Sequence, residues 1–177
     1  ATADSIRTTG NQTYTGAVTL AANSVLRSIT SGTILFSSTI DGAFSLAVFS
    51  GTLSSGTSTF PGGVITFSSA VGGTTPLTSL LVDDAPITTE SGTYASAYMT
   101  AAATRQTTVN LNGASVRTTG TQDYRNNILL GGNTTLTSDS DYSTGGVQGS
   151  APGNNITFSS TSTVNAATTG GASALSI

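Results

Sequence analysis

The chain repeats itself, and no other feature constrains its fold as strongly. Residues 5–28 read SIRTTGNQTYTGAVTLAANSVLRS and residues 115–138 read SVRTTGTQDYRNNILLGGNTTLTS. Without a gap, Arg7, Thr8, Thr9, Gly10, Gln12, Tyr14, Leu20, Asn23 and Leu26 fall on Arg117, Thr118, Thr119, Gly120, Gln122, Tyr124, Leu130, Asn133 and Leu136, an offset of 110 residues. A shorter element recurs as ILFSSTIDG at 34–42, ITFSSAVGG at 65–73 and ITFSSTSTVN at 156–165. Each has a branched apolar residue two places before Phe, then a Ser pair. A further branched residue follows: Ile40, Val71 or, after a two-residue slip, Val164. Residues two apart share one face of a strand. Ile34 with Phe36, Ile65 with Phe67, and Ile156 with Phe158 should therefore point the same way. The Ser pair suits a tight corner.

A short strand with one apolar face cannot bury that face alone, whereas a stack of such units buries a continuous column. The spacing suits coils of roughly twenty-odd residues. About seven or eight of them, ~4.8 Å apart, predict a rod on the order of 35 Å long. The inward set begins with Ile6, Tyr14, Val18, Leu20, Leu26, Ile34, Phe36, Ile40, Leu46, Val48, Val64, Phe67 and Val71. It continues with Leu77, Leu80, Val82, Val109, Leu111, Val116, Ile128, Leu130, Leu136, Phe158 and Val164. Burial at ~25 cal/mol per Å² can hold such a stack together without salt bridges. An antiparallel sandwich or barrel is the second architecture compatible with short strands and Gly turns.

Composition agrees with an all-β chain. Only 7% of the 177 residues are Asp, Glu, Lys or Arg, against roughly a quarter in ordinary domains. Yet 36% are hydrophobic and the net charge is only -3, which is not the signature of disorder. Surface polarity must come from Ser, Thr, Asn and Gly. Five scattered Arg on an acidic chain make no basic patch for nucleic acid. Without His or Lys there is no Ser-His-Asp or Ser/Lys nucleophile and no Walker-type phosphate loop. Without Cys there is no disulfide or thiolate metal site. No run approaches the ~18 apolar residues of a membrane span.

The segments TTGNQTYTGAVTLAANSVL, ILFSSTIDG, ITFSSAVGGTTPLTSLLVDDAP and TVNLNGASVRTTGTQDY resemble the repeats of filamentous-haemagglutinin-like bacterial surface proteins. The resemblance covers most of residues 5–86 and 107–138, and again 154–166. It implies a right-handed parallel β-helix (β-solenoid) in a long, exported, repetitive chain at the bacterial cell surface. Adhesion, cell–cell contact or matrix building are the roles it implies. It transfers no catalytic residue and no cofactor, because the repeats carry none.

Residues 1–177 thus read as a single β-solenoid segment with two excursions, at about 87–105 and 139–153. In stacked repeats, insertions map to loops on one face, often the binding face. Tyr94, Tyr98, Met99 and Arg105 in the first excursion and Tyr142 in the second are the interaction candidates, since Tyr and Arg are enriched at interface hot spots. Folding back to cap the coils is the competing role for them. Asp139 and Asp141 could share a face and offer oxygens to calcium, but a turn explains them better. Asp83 and Asp84, being adjacent, point apart on a strand and read as solvated turn acids. Arg7 and Arg117 should decorate equivalent outer positions.

The expected partners are further copies end to end or the rest of a longer chain, with surface glycans of a host or neighbouring cell as a second class. A β-helical polysaccharide-active enzyme or carbohydrate-binding module is the alternative function, and would need two acids from successive coils in one groove. Ice binding would need Thr-x-Thr in register. The Thr pairs here are mostly adjacent, as in Thr8-Thr9 and Thr118-Thr119.

Overall fold

A computed structural model describes residues 5–51, 59–60, 62–84, 104–105, 107–113, 115–138, 155–158, 163–166 and 173–177. Among them are short strands and no helix, and none that could cross a membrane as a helix. Three stacks account for nearly all the strands. Sheet 1 runs β1 (Ile6–Thr8), β4 (Ser24–Ser28), β7 (Ser45–Ser50), β10 (Ser79–Asp83), β14 (Gln122–Tyr124) and β17 (Ile156–Phe158). Sheet 2 runs β2 (Gln12–Tyr14), β5 (Ile34–Phe36), β9 (Val64–Phe67), β12 (Thr108–Leu111), β15 (Asn127–Leu130) and β18 (Val164–Ala166). Sheet 3 begins with β3 (Val18–Thr19) and β6 (Ile40–Asp41), and single bridges carry it from Ile40 to Val71 and from Val71 to Val116. It ends with β13 (Ser115–Thr118), β16 (Thr134–Ser138) and β19 (Leu175–Ser176). A separate pair joins β8 (Thr59–Phe60) to β11 (Thr104–Arg105).

The chain visits sheets 1, 2 and 3 in that order, six times, and the described strand pairs are parallel throughout. An antiparallel sandwich is thereby overturned, because consecutive strands never pair as hairpins in these ladders. Among the described residues the strands make six such rounds, against the seven or eight coils expected. Six strands ~4.8 Å apart span about 24 Å, less than the length expected from the sequence.

Alternation places the core. In sheet 2, Ile34, Ile65, Val109 and Ile128 lie in one register column, and Phe36, Phe67, Leu111 and Leu130 in the next. In sheet 1 the column is Leu26, Val48, Val82 and Tyr124. All of these are buried. Tyr14, Phe36 and Phe67 stack face to face, with centroids 4.9 and 5.3 Å apart. The expected inward set needs four corrections. Ile6 (42% exposed) and Val164 (38%) lie in the first and last circuits described, where one side lacks a covering rung. Val64 is only half-buried and Ile65 takes the inward position, since Ile65 is the residue two before Phe67. Tyr124, absent from the expected set, is fully buried.

The long repeat does not stack on itself. Its first copy places Ile6–Thr8 in sheet 1 and Gln12–Tyr14 in sheet 2, whereas its second places Ser115–Thr118 in sheet 3 and Gln122–Tyr124 in sheet 1. Arg7 and Arg117 are therefore on different sheets, not at equivalent outer positions. The third short element is displaced likewise: Ile34–Phe36 and Val64–Phe67 stack in sheet 2, but Ile156–Phe158 belongs to sheet 1.

Local geometry is nevertheless the same in both copies. Gln12 Nε2 donates to Thr8 Oγ1 (3.1 Å) and to the Arg27 carbonyl (2.9 Å), and Tyr14 OH donates to Gln12 Oε1 (2.9 Å). Gln122 Nε2 donates to Thr118 Oγ1 (3.3 Å) and to the Thr137 carbonyl (2.8 Å), and Tyr124 OH donates to Gln122 Oε1 (3.0 Å). The Thr-Thr-Gly-x-Gln-x-Tyr segment is thus a corner with its own internal hydrogen bonding. The amide spans the bend and ties it to the next circuit.

Two outcomes follow from this packing. Phe36→Ala, which opens a cavity in the aromatic column, should cost about 3–5 kcal/mol in chemical denaturation; a loss below about 1 kcal/mol would show that the column is not packed. Burial pushes the Tyr124 hydroxyl far above its usual range, so the folded chain keeps a proton that the unfolded chain releases above about pH 10. The contribution of Tyr124 to stability should be constant below that pH and fall by about 1.4 kcal/mol per pH unit above it. Tyr124→Phe should reduce that slope in alkaline unfolding curves.

Candidate functional site

Spacing between register partners locates every insertion. Leu26 and Val48 are 22 residues apart, but Ile34 and Ile65 are 31 apart, so nine extra residues lie between β7 and β9. Val82 and Tyr124 are 42 apart, whereas Val109 and Ile128 are 19 apart, so 23 extra residues lie between β10 and β12. Val116 and Leu136 are 20 apart and Tyr124 and Phe158 are 34 apart, so 14 extra residues lie between β16 and β17. The last two intervals contain the expected excursions at about 87–105 and 139–153, which, Thr104 and Arg105 apart, lie outside the described residues. They leave from different corners, sheet 1 to 2 and sheet 3 to 1, and so do not share one. The nine-residue insertion, not anticipated from the sequence, leaves from the sheet 1 to 2 corner, one circuit before the 23-residue one.

That shared corner holds most of the buried polar groups. Thr8, Ser28 and Ser50 are register partners, and the pairing of Asp83 with Phe49 puts Asp84 level with Ser50. Ser28, Ser50, Asp84, Thr107 and Asn126 are at most 1% exposed. Asp84 Oδ1 accepts from the Thr107 backbone N–H (3.0 Å) and from Asn126 Nδ2 (2.7 Å). The Thr107 hydroxyl donates to the Ser50 carbonyl. Asp84 stands where the 23-residue insertion leaves and Thr107 where it returns, so one carboxylate closes the neck. The shorter insertion is closed by an antiparallel bridge between Gly51 and Gly62.

Asp83 turns the other way, as expected for adjacent strand residues, and meets Arg125 (Nη1 to Oδ2, 3.5 Å). Arg125 also holds Asp123, at 2.6 Å from Nη2 and 2.8 Å from Nε. Asp83 and Asp84 are both fully buried, which corrects their reading as solvated turn acids. A buried carboxylate needs pairing or hydrogen bonds to offset its lost solvation: Asp83 has the Arg125 cation and the Asp84 backbone N–H (2.8 Å), and Asp84 has the Thr107 N–H and the Asn126 amide. Asp83 and Asp123 come from successive circuits, but both are engaged by one guanidinium. Among the described residues, no three of His, Cys, Asp or Glu gather as a metal-binding group.

Of the interaction and metal candidates, Tyr94, Tyr98, Met99, Asp139, Asp141 and Tyr142 lie outside the described residues. Arg105 is in β11, with its backbone opposite Phe60. Sequence reasoning missed Thr107 and Asn126 as site residues. The usable signal was the pair of edges of the interrupted segment: an acid at the exit and a hydroxyl residue at the return.

No family model, curated protein or solved structure matches this chain.

The site predicts unequal costs for its two ion pairs. Arg125→Met removes the cation beside a buried carboxylate and should destabilise the chain by about 3 kcal/mol. Asp123→Ala, whose carboxylate is partly solvated, should cost about 1 kcal/mol or less. Denaturant midpoints of the two variants check this, and equal losses would contradict the assigned burial.

Proposed function

We propose that this chain is a right-handed parallel β-helix segment of a secreted or cell-surface bacterial repeat protein, similar in kind to filamentous-haemagglutinin-like proteins. It serves as a structural and adhesive rod rather than an enzyme. Further copies, the rest of a longer chain and surface glycans are its expected partners. The observation that carries the reading is the strict rotation through three parallel stacks around one apolar column, with extra residues confined to corners. That is the organisation of a scaffold that holds side segments away from its core. The right hand follows from the rule that parallel crossover connections are right-handed in about 98% of cases. Support for a non-enzymatic role comes from Asp83 and Asp123, the acids of successive circuits, which are held by Arg125 instead of lining an open pair.

Cell and glycan binding test the proposal. The purified chain should bind bacterial or host cell surfaces, or a defined class of glycan. A triple variant with Tyr94, Tyr98 and Tyr142 changed to Ser should bind at least tenfold more weakly with an unchanged melting temperature. Undiminished binding would remove these residues from the interface. Release of reducing sugar from a polysaccharide panel would overturn the non-enzymatic reading.

A further inference from the structure

We propose that the outer face of sheet 2 is a binding surface for a long, uncharged polysaccharide laid along the stack. The proposal rests on the reading of this chain as a glycan-contacting surface rod, and names the surface and the class of glycan. Between the two inward columns of sheet 2, the registers place Thr13, Leu35, Thr66, Asn110, Leu129 and Asn165 in one unbroken outward column. None of the six is buried. A second outward column, which includes Val64, Thr108 and Asn127, runs beside it. The strands of sheet 2 carry no charged side chain. In the other two stacks, Arg7, Arg27, Asp83 and Asp123 lie in strands of sheet 1, and Asp41 and Arg117 in strands of sheet 3. Sheet 1 does not offer the same surface, because its outward Arg27 and Phe49 are each 4% exposed and its outward Asp83 is fully buried.

The chemistry of the face narrows its occupant. Thr hydroxyls and Asn amides both donate and accept, and the branched alkyl groups of Leu35, Val64 and Leu129 lie among them. A sugar ring presents the matching pair, hydroxyls at its edge and C–H groups on its faces. Part of the polar array is already held in place: Asn110 Nδ2 donates to Thr66 Oγ1 (3.1 Å), and Asn165 Nδ2 donates to Thr163 Oγ1 (3.2 Å). Such preorganisation reduces what a ligand must order on binding. Protein interfaces are enriched in aromatic residues, Met and Arg. Both outward columns lack all three, so a second copy or another protein is the poorer fit. A charged glycan would find no counter-charge on these strands. Ice is disfavoured as well, because no rung carries Thr in both columns. The same chemistry recurs at each ~4.8 Å step over about 24 Å, so many weak contacts add along one ligand. Binding should therefore depend on ligand length and hardly on salt.

Depletion assays test it. The purified chain is mixed with swollen cellulose, an insoluble β-1,3-glucan and an insoluble mannan, at low salt and at about 1 M NaCl. At least one of the three should retain it with little change between the salts. Soluble polymer of the same sugar should release it, whereas the disaccharide should not. Thr66→Ala combined with Asn110→Ala should weaken retention about fivefold or more, the loss expected for two net hydrogen bonds. Thr135→Ala, on the exposed outside of sheet 3, should leave it unchanged. Retention by none of the three, retention abolished by salt, or equal retention of the double variant would overturn the proposal. A wild-type dimer that the double variant loses would give the face to a second copy instead. The salt and length comparisons use the wild-type chain, so they decide the matter even if the double variant unfolds. Cell binding that survives while polysaccharide retention fails removes this face and leaves the adhesive reading standing.

Discussion

Everything in this fold depends on side chains of successive circuits falling in register on the inner side of parallel strands. A strand of three or four residues has too few hydrogen bonds and too little apolar area to persist alone. It persists because Ile34 lies over Ile65, Ile65 over Val109 and Val109 over Ile128, so each rung completes the burial of the one before. The inner position also sets the chemistry of the corners. A bend next to an apolar column must satisfy its backbone groups without water, and Gln12, Gln122 and Asp84 do so with side-chain atoms.

Much of this was legible in the sequence, because period-two alternation is written directly in Ile-x-Phe and Leu-x-Val pairs. The parallel stacking was legible too, since interchangeable elements can bury a common column only by piling up. What was not legible was which side of the stack each element occupies. A strand motif encodes which residues turn inward, and all three sides ask the same of it, so ILF at 34–36 and ITF at 156–158 look alike while lying on different sheets. Circuit number was misjudged for a related reason. Residues 52–61 have the same Ser, Thr and Gly composition as the corners, and nothing in them announces an insertion.

The candidate site was the least legible part. Asp83 and Asp84 sit in a segment, VDDAP, that reads as an exposed turn, and burial of such a pair depends on partners far away in sequence. Arg125 and Asn126 are 42 residues further on and come into reach only because one whole circuit, insertion included, intervenes. On a chain with so few charges, grouping three acids and an arginine at one corner is costly unless the geometry there must be held. Here it holds the one place where the path of the chain is most heavily interrupted.

The unequal placement of the 110-residue repeat has a consequence for any longer array built from the same sequence. From β1 to β13 the chain passes eleven sides, which is not a multiple of three. A further copy at the same offset would begin one side over again, and only after three copies would the pattern come back above its starting edge. Surface features written once per copy would then wind about the axis like a thread on a screw, facing every direction instead of forming a single stripe.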